Sequence, residues 1–99
     1  MQIAQLTPAQ VAADTGSTVV DVRESDEVAT GAIAGSTAIP LGQLAARVSE
    51  LDPTAPVITV CQSGRRSQQA AEALAAAGYD VSNMAGGMNA WREAGFPAA

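Results

Sequence analysis

Two short runs, Val19-Val20-Asp21-Val22 and Val57-Ile58-Thr59-Val60, are nearly continuous in β-branched residues. A strand with one face in water alternates apolar and polar side chains, whereas an unbroken apolar run must be covered on both faces. Helices therefore have to pack above and below these strands, and the intervening segments carry helical signals. The chain is expected to be an α/β fold, with three layers (α/β/α) around a mainly parallel sheet of about five strands. At 99 residues, with no repeat or linker, it reads as one domain spanning 1–99.

The remaining elements follow from local chemistry. Ile3 to Gln5 reads as an edge strand, and Thr7-Pro8 as the cap and first residue of a helix reaching about Ala13. Ser25-Asp26-Glu27 caps a short helix that Gly31 ends. Thr37 to Ile39 reads as a strand stopped by Pro40, and Leu41 to Val48 as a helix with Leu44 and Val48 on one face. Asp52-Pro53 and Pro56 mark a turn. Ser67 to Ala77 is a run of strong helix formers closed by Gly78, with Ser67 as its cap. Tyr79 to Met84 reads as the last strand, Gly86-Gly87 as a tight turn, and Met88 to Ala94 as a final helix burying Met88 and Trp91.

Composition narrows the chemistry. There is no histidine and one cysteine, Cys61. These counts exclude imidazole bases, His-ligated metals, internal disulfides and cysteine-built zinc sites. The net charge of −5 argues against a general nucleic-acid binder. No apolar run approaches the roughly 20 residues that span a bilayer. The N-terminal residues lack the basic and apolar regions of a signal peptide, so the expected location is cytoplasmic, where a lone thiol stays reduced. The 22 alanines bury little area each, which leaves the core to nine Val, five Leu and four Ile.

The reactive groups converge on one segment, Cys61-Gln62-Ser63-Gly64-Arg65-Arg66-Ser67, which joins the second buried strand to a helix. In parallel sheets the binding crevice lies at the carboxyl ends of the strands. A lone cysteine is ordinarily an inert core residue. Here a helix N-terminus and two arginines adjoin it, and both lower a thiol pKa. Gly64 permits a conformation that turns successive N–H groups inward as an anion nest. Asp21 and Arg23 end the first buried strand and are expected to support this loop.

The sequence resembles a single-domain rhodanese. Asp21-Val22-Arg23-Glu24 is similar to that family's Asp-x-Arg-Glu element. Gly31-Ala32-Ile33, Gly35 and Ile39-Pro40-Leu41 resemble its next stretch, Cys61 to Ser67 its catalytic loop, and Gly86-Gly87-Met88, Trp91, Gly95 and Pro97 its C-terminal signature. Ala32 stands where the family often has histidine and Val28 where an aromatic is usual; neither position is catalytic in the family, so only local packing is expected to change. The resemblance implies a sulfurtransferase of the thiosulfate type. Cys61 takes the outer sulfur of an anionic donor, and the resulting persulfide passes it to cyanide, a thiol or a protein. Gln62 to Ser67 would cradle the persulfide through their amides, Arg65 would draw in the donor, and Ser63 would contact it. Arg66 would close the loop against Asp21 or Glu24. Asp21 reads as structural, while Arg23 is divided between an ion pair and substrate contact. No cofactor or metal is implied, no nucleic-acid or membrane partner, and the chain is expected to act as a monomer.

Two other readings compete. Phosphatases and arsenate reductases of the same fold resemble a Cys-x5-Arg loop, whereas four residues separate Cys61 from Arg66, a ring better sized for sulfur than for a tetrahedral oxyanion. A non-catalytic interaction module is the other, since fold alone does not fix function.

Overall fold

A computed structural model describes residues 2–99. Five strands form one sheet: β1 (Ala4–Leu6), β2 (Thr18–Asp21), β3 (Thr37–Ala38), β4 (Val57–Val60) and β5 (Val81–Met84). Their order is β1-β5-β4-β2-β3, and every pairing is parallel. The helices are α1 (Pro8–Ala13), α2 (Ser25–Val28), α3 (Leu44–Arg47), α4 (Arg65–Ala76) and α5 (Gly87–Glu93). Among the described residues no helix is long and apolar enough to cross a membrane.

The two β-branched runs become β2 and β4, which lie side by side near the centre of the sheet. Their alternate side chains feed two separate cores, one on each face. Val20 and Val57 meet Leu44, Ala71 and Leu74 from α3 and α4. Ile58 and Val60 meet Val11, Met88 and Trp91 from α1 and α5. This division accounts for the unbroken hydrophobicity of both runs and for the three-layer architecture.

Of the boundaries that differ from the sequence reading, four bear most on packing and on the site, beside shifts of one residue at the α2 cap (Glu24), the end of β3 and both ends of α5. The edge strand runs one residue later, because Leu6 rather than Ile3 joins the ladder opposite Met84. Tyr79 precedes β5 and closes the α4 terminus, its N–H donating to the Leu74 carbonyl and its hydroxyl to Val48 O at 3.3 Å. The Leu41–Val48 helix is reduced to the single turn of α3 between 3-10 turns at Leu41–Gln43 and Val48–Glu50. The fourth concerns Ser67, which lies within α4 and not at its cap: Gly64, with φ 98°, is the cap.

Register positions the site. Asp21 pairs with Val60, so the segments leaving β2 and β4 emerge together at the carboxyl edge. The Val22 N–H donates to Val60 O at 2.8 Å and continues the pairing past the strands. The Gly86-Gly87 pair brings α5 against this edge. Met88 N donates to Cys61 O at 2.8 Å and Asn89 N to Gln62 O at 3.0 Å. Gly87 has φ +58°, and a Cβ there would collide with Cys61 O and would come within 2.7 Å of the Gln62 backbone. The glycine pair is thus a contact requirement as well as a turn. Gly87→Ala is expected to lower stability by about 2 kcal/mol or more, from left-handed strain and displacement of this contact together. Thermal unfolding checks it, and an unchanged midpoint would show that the loop can yield.

Candidate active site

Cys61 follows β4 directly, and its side chain points toward the α3/α4 core with no exposed surface. Its sulfur is not left without partners. Gly64 N donates to Sγ at 3.0 Å and Ser67 Oγ donates to it at 3.2 Å. The left-handed backbone at Gly64 makes the first bond possible by folding the loop back over the sulfur. The second arises because Ser67, two residues into α4, is itself fully buried beneath the loop. Burial pushes the Cys61 thiol up. The Ser67 hydroxyl and the amides of Ser67, Gly64 and Ser63 pull it down by more, so it lies below its ordinary 9.0.

The loop is held from three sides. From β5, buried Asn83 donates through Nδ2 to the Gly64 carbonyl at 3.2 Å. From the α5 side, Asn89 Oδ1 accepts from Gln62 Nε2 at 2.7 Å. From the segment that follows β2, Arg23 Nη1 donates to Gln62 Oε1 at 3.3 Å. The Gln62 side chain is therefore a strut between Arg23 and α5, which leaves only its backbone facing the cradle.

Arg23 and Asp21 resolve into a buried pair. Arg23 is wholly buried and Asp21 is 1% exposed. Arg23 Nε donates to Asp21 Oδ1 at 3.0 Å and Nη2 to Oδ2 at 2.8 Å. The remaining donors go to the carbonyls of Glu27 at 3.2 Å and Gly31 at 2.8 Å and to Gln62. The guanidinium is thereby saturated with internal acceptors, with nothing left for a substrate. Of the two roles open to Arg23, the geometry selects the ion pair.

Arg66 has neither of its expected partners. Asp21 is taken by Arg23, and Glu24 lies at the cap of α2. Arg66 instead makes a two-pronged bridge to Glu27, Nη1 to Oε1 at 2.6 Å and Nη2 to Oε2 at 2.7 Å. Glu27 is the residue missed in the sequence. Its only signal is its position three residues after Glu24, whose N–H it accepts at 3.0 Å. Arg66 holds the Glu27 carboxyl down to about 2. Ser63 and Arg65 are exposed at the mouth of the cradle. Among the described residues no carboxylate pairs with Arg65.

The two departures from the resemblance are local. Val28 is partly buried at the end of α2. Ala32 exchanges backbone hydrogen bonds with Ala99, N to O at 2.9 Å and 3.0 Å. This exchange straps the chain end beside Gly31.

A thiol under a closed nest of amides, at the carboxyl edge of a parallel sheet, defines a cysteine-centred α/β/α domain suited to holding a thiolate or one added sulfur. The chain belongs to the rhodanese-like domain family, whose profile matches residues 7–94. It is similar to a sulfurtransferase of Allochromatium vinosum, 38% identical over 80 residues that cover 80% of this chain and 75% of that one. It is also similar to the thiosulfate sulfurtransferase GlpE of Pseudomonas fluorescens, 36% identical over 91 residues, 91% of this chain and 83% of that one. Among solved structures, a rhodanese-related protein from Thermoplasma volcanium superposes with a TM-score of 0.93 at 31% identity, covering 97% of each chain. These relatives support rhodanese-type sulfur transfer in general.

Two outcomes are expected. Ser67→Ala should raise the Cys61 pKa, because it removes a hydroxyl donor that favours the thiolate over the neutral thiol. The pH dependence of thiol alkylation by iodoacetamide checks this, and an unchanged midpoint would remove the hydroxyl from the account. For Glu27, the folded value lies below the ordinary 4.5, so its contribution to stability is full above that pH and is lost as pH falls toward about 2. Glu27→Gln should therefore be less stable than wild type at neutral pH, with the difference vanishing in acid titrations followed by circular dichroism.

Proposed function

We propose that the protein is a sulfurtransferase that carries a sulfane sulfur from thiosulfate or a similar small anionic donor to a thiophilic acceptor through a Cys61 persulfide. The observation that carries this reading is the pair of hydrogen bonds to a fully buried Sγ, from Gly64 N at 3.0 Å and Ser67 Oγ at 3.2 Å. A buried thiol with no donors would be protonated and inert.

In the first step Cys61 thiolate attacks the outer sulfur of the donor. A new S–S bond forms at Sγ, the donor's S–S bond breaks, and sulfite leaves with the electron pair. The terminal sulfur would then lie among the amides of Gln62 to Ser67, at the N-terminal end of α4. In the second step an acceptor nucleophile takes that sulfur, and Sγ regains its electron pair as a thiolate already provided with donors. A Cys61 that is already ionised needs no general base. Arg65, exposed and without a carboxylate partner among the described residues, would attract the donor. Asp21 and Arg23 would act through Gln62 by fixing the loop. With one cysteine in the chain, onward transfer goes to another molecule, a thiol or a protein, and the chain would work as a monomer in a reducing compartment such as the cytoplasm. The bridge from Arg66 to Glu27 also removes the arginine that would clamp a phosphate in the phosphatase reading.

Intact-mass spectrometry after thiosulfate treatment tests the proposal. A gain of one sulfur atom is expected, lost on adding cyanide and absent from Cys61→Ala; no gain from any sulfane donor would refute it. Arg65→Ala is expected to raise the donor KM with little change in kcat, and a fall in kcat at constant KM would move Arg65 into transition-state stabilisation.

A further inference from the structure

We propose that Glu27 sets the charge selectivity of the sulfur-transfer site by holding the Arg66 guanidinium away from the incoming donor, so that, among the described residues, the cradle mouth offers one free cation rather than two. The assignment rests on the sulfurtransferase reading above and specifies how the site discriminates by charge: the pairing of Arg66 with Glu27 weakens the preference for a dianionic donor over a monoanionic one.

Arg65 and Arg66 are adjacent in the first turn of α4, the helix whose N-terminus forms the cradle. Nothing in their local sequence distinguishes them. The difference between them comes from α2. Arg66 places both of its terminal nitrogens on the two Glu27 oxygens, at 2.6 Å and 2.7 Å, whereas Arg65 has no carboxylate partner among the described residues. A forked pair of this kind fixes the guanidinium plane as well as cancelling its charge.

Glu27 is itself preset. Its carbonyl accepts from Arg23 Nη1 at 3.2 Å, and the Gly31 carbonyl accepts from Arg23 Nη2 at 2.8 Å. The buried Asp21–Arg23 pair thus anchors the backbone of α2 at Glu27 and again just beyond the helix. The Glu24 N–H then orients the Glu27 carboxylate through Oε1 at 3.0 Å. With its carboxyl held near 2, Glu27 stays ionised throughout the range in which a thiolate exists. A dianion approaching Cys61 therefore meets Arg65 and backbone amides, while the charge of Arg66 is offset by the Glu27 carboxylate paired with it.

Both donor types react by the same balanced step. Cys61 Sγ bonds to the outer sulfur, the donor S–S bond breaks, and the electron pair leaves on sulfite from thiosulfate or on a sulfinate from a thiosulfonate. The second negative charge is thus what separates the two donors electrostatically.

Steady-state kinetics with thiosulfate and with benzenethiosulfonate, at low ionic strength, test the assignment in wild type, Glu27→Gln and Glu27→Gln/Arg66→Gln. Glutamine keeps an acceptor for the Glu24 N–H while removing the charge. Glu27→Gln is expected to lower the thiosulfate KM about fivefold and the benzenethiosulfonate KM about twofold, as one released cation acts on two charges and on one. The kcat values should hold steady, the gain should shrink with added salt, and the second substitution should abolish it. Glu27→Asp, which draws the carboxylate back from Arg66 by one methylene, should fall between wild type and Glu27→Gln and serves if the glutamine variant does not fold. Equal KM changes for the two donors, no change, or a gain that survives Arg66→Gln would overturn the assignment. If neither donor loads sulfur onto the wild-type protein, the sulfur-transfer reading fails and this assignment with it.

Discussion

Placing a sulfur atom at zero exposure while keeping it ionisable is the constraint around which this molecule is arranged. Burial alone favours the neutral thiol, because a charge loses its hydration. Hydrogen-bond donors fixed within the fold reverse that preference here, and they must be in place before any substrate arrives. Gly64 N and Ser67 Oγ are such donors, at 3.0 Å and 3.2 Å from Cys61 Sγ. They are available because a strand ends, a glycine adopts a left-handed turn and a helix begins within a few residues.

A loop of that kind is precise only if its backbone is anchored, and anchoring accounts for the polar groups buried at the carboxyl edge. Asn83 reaches from β5 to the Gly64 carbonyl, Gln62 is strung between Arg23 and Asn89, and α5 donates two amides to the carbonyls of Cys61 and Gln62. The Asp21–Arg23 pair is the deepest of these supports. A buried pair of charges is a poor source of net stability, but it is costly to break, which suits a part whose role is placement. The same arginine fixes α2, so loop geometry and the partner of Arg66 trace back to one buried ion pair.

What was legible in the sequence is what depends on neighbours along the chain. The two β-branched runs mark the central strands and the need for helices on both faces, and Cys61 to Ser67 mark the cradle because thiol, glycine and arginines lie within one short segment. What depends on distant contacts was not legible. Arg66 and Glu27 are 39 positions apart, and nothing local distinguishes Glu27 from Asp21 or Glu24 as a partner. Ser67 resembles a cap by residue type, yet helical geometry begins at Arg65 because Gly64 already satisfies the turn, leaving the serine hydroxyl free to face sulfur. The glycine pair at 86 and 87 was readable as a turn, whereas its close approach to the Cys61 loop became visible only in three dimensions.

The most direct measurement is an ultraviolet titration of thiolate absorbance in the wild-type protein, with Cys61→Ala as the baseline. Fixed donors outweighing burial predict a midpoint below the ordinary thiol value of 9.0. A midpoint at or above that value would mean that burial prevails over the hydrogen bonds, and it would contradict the central claim that this loop holds a reactive thiolate.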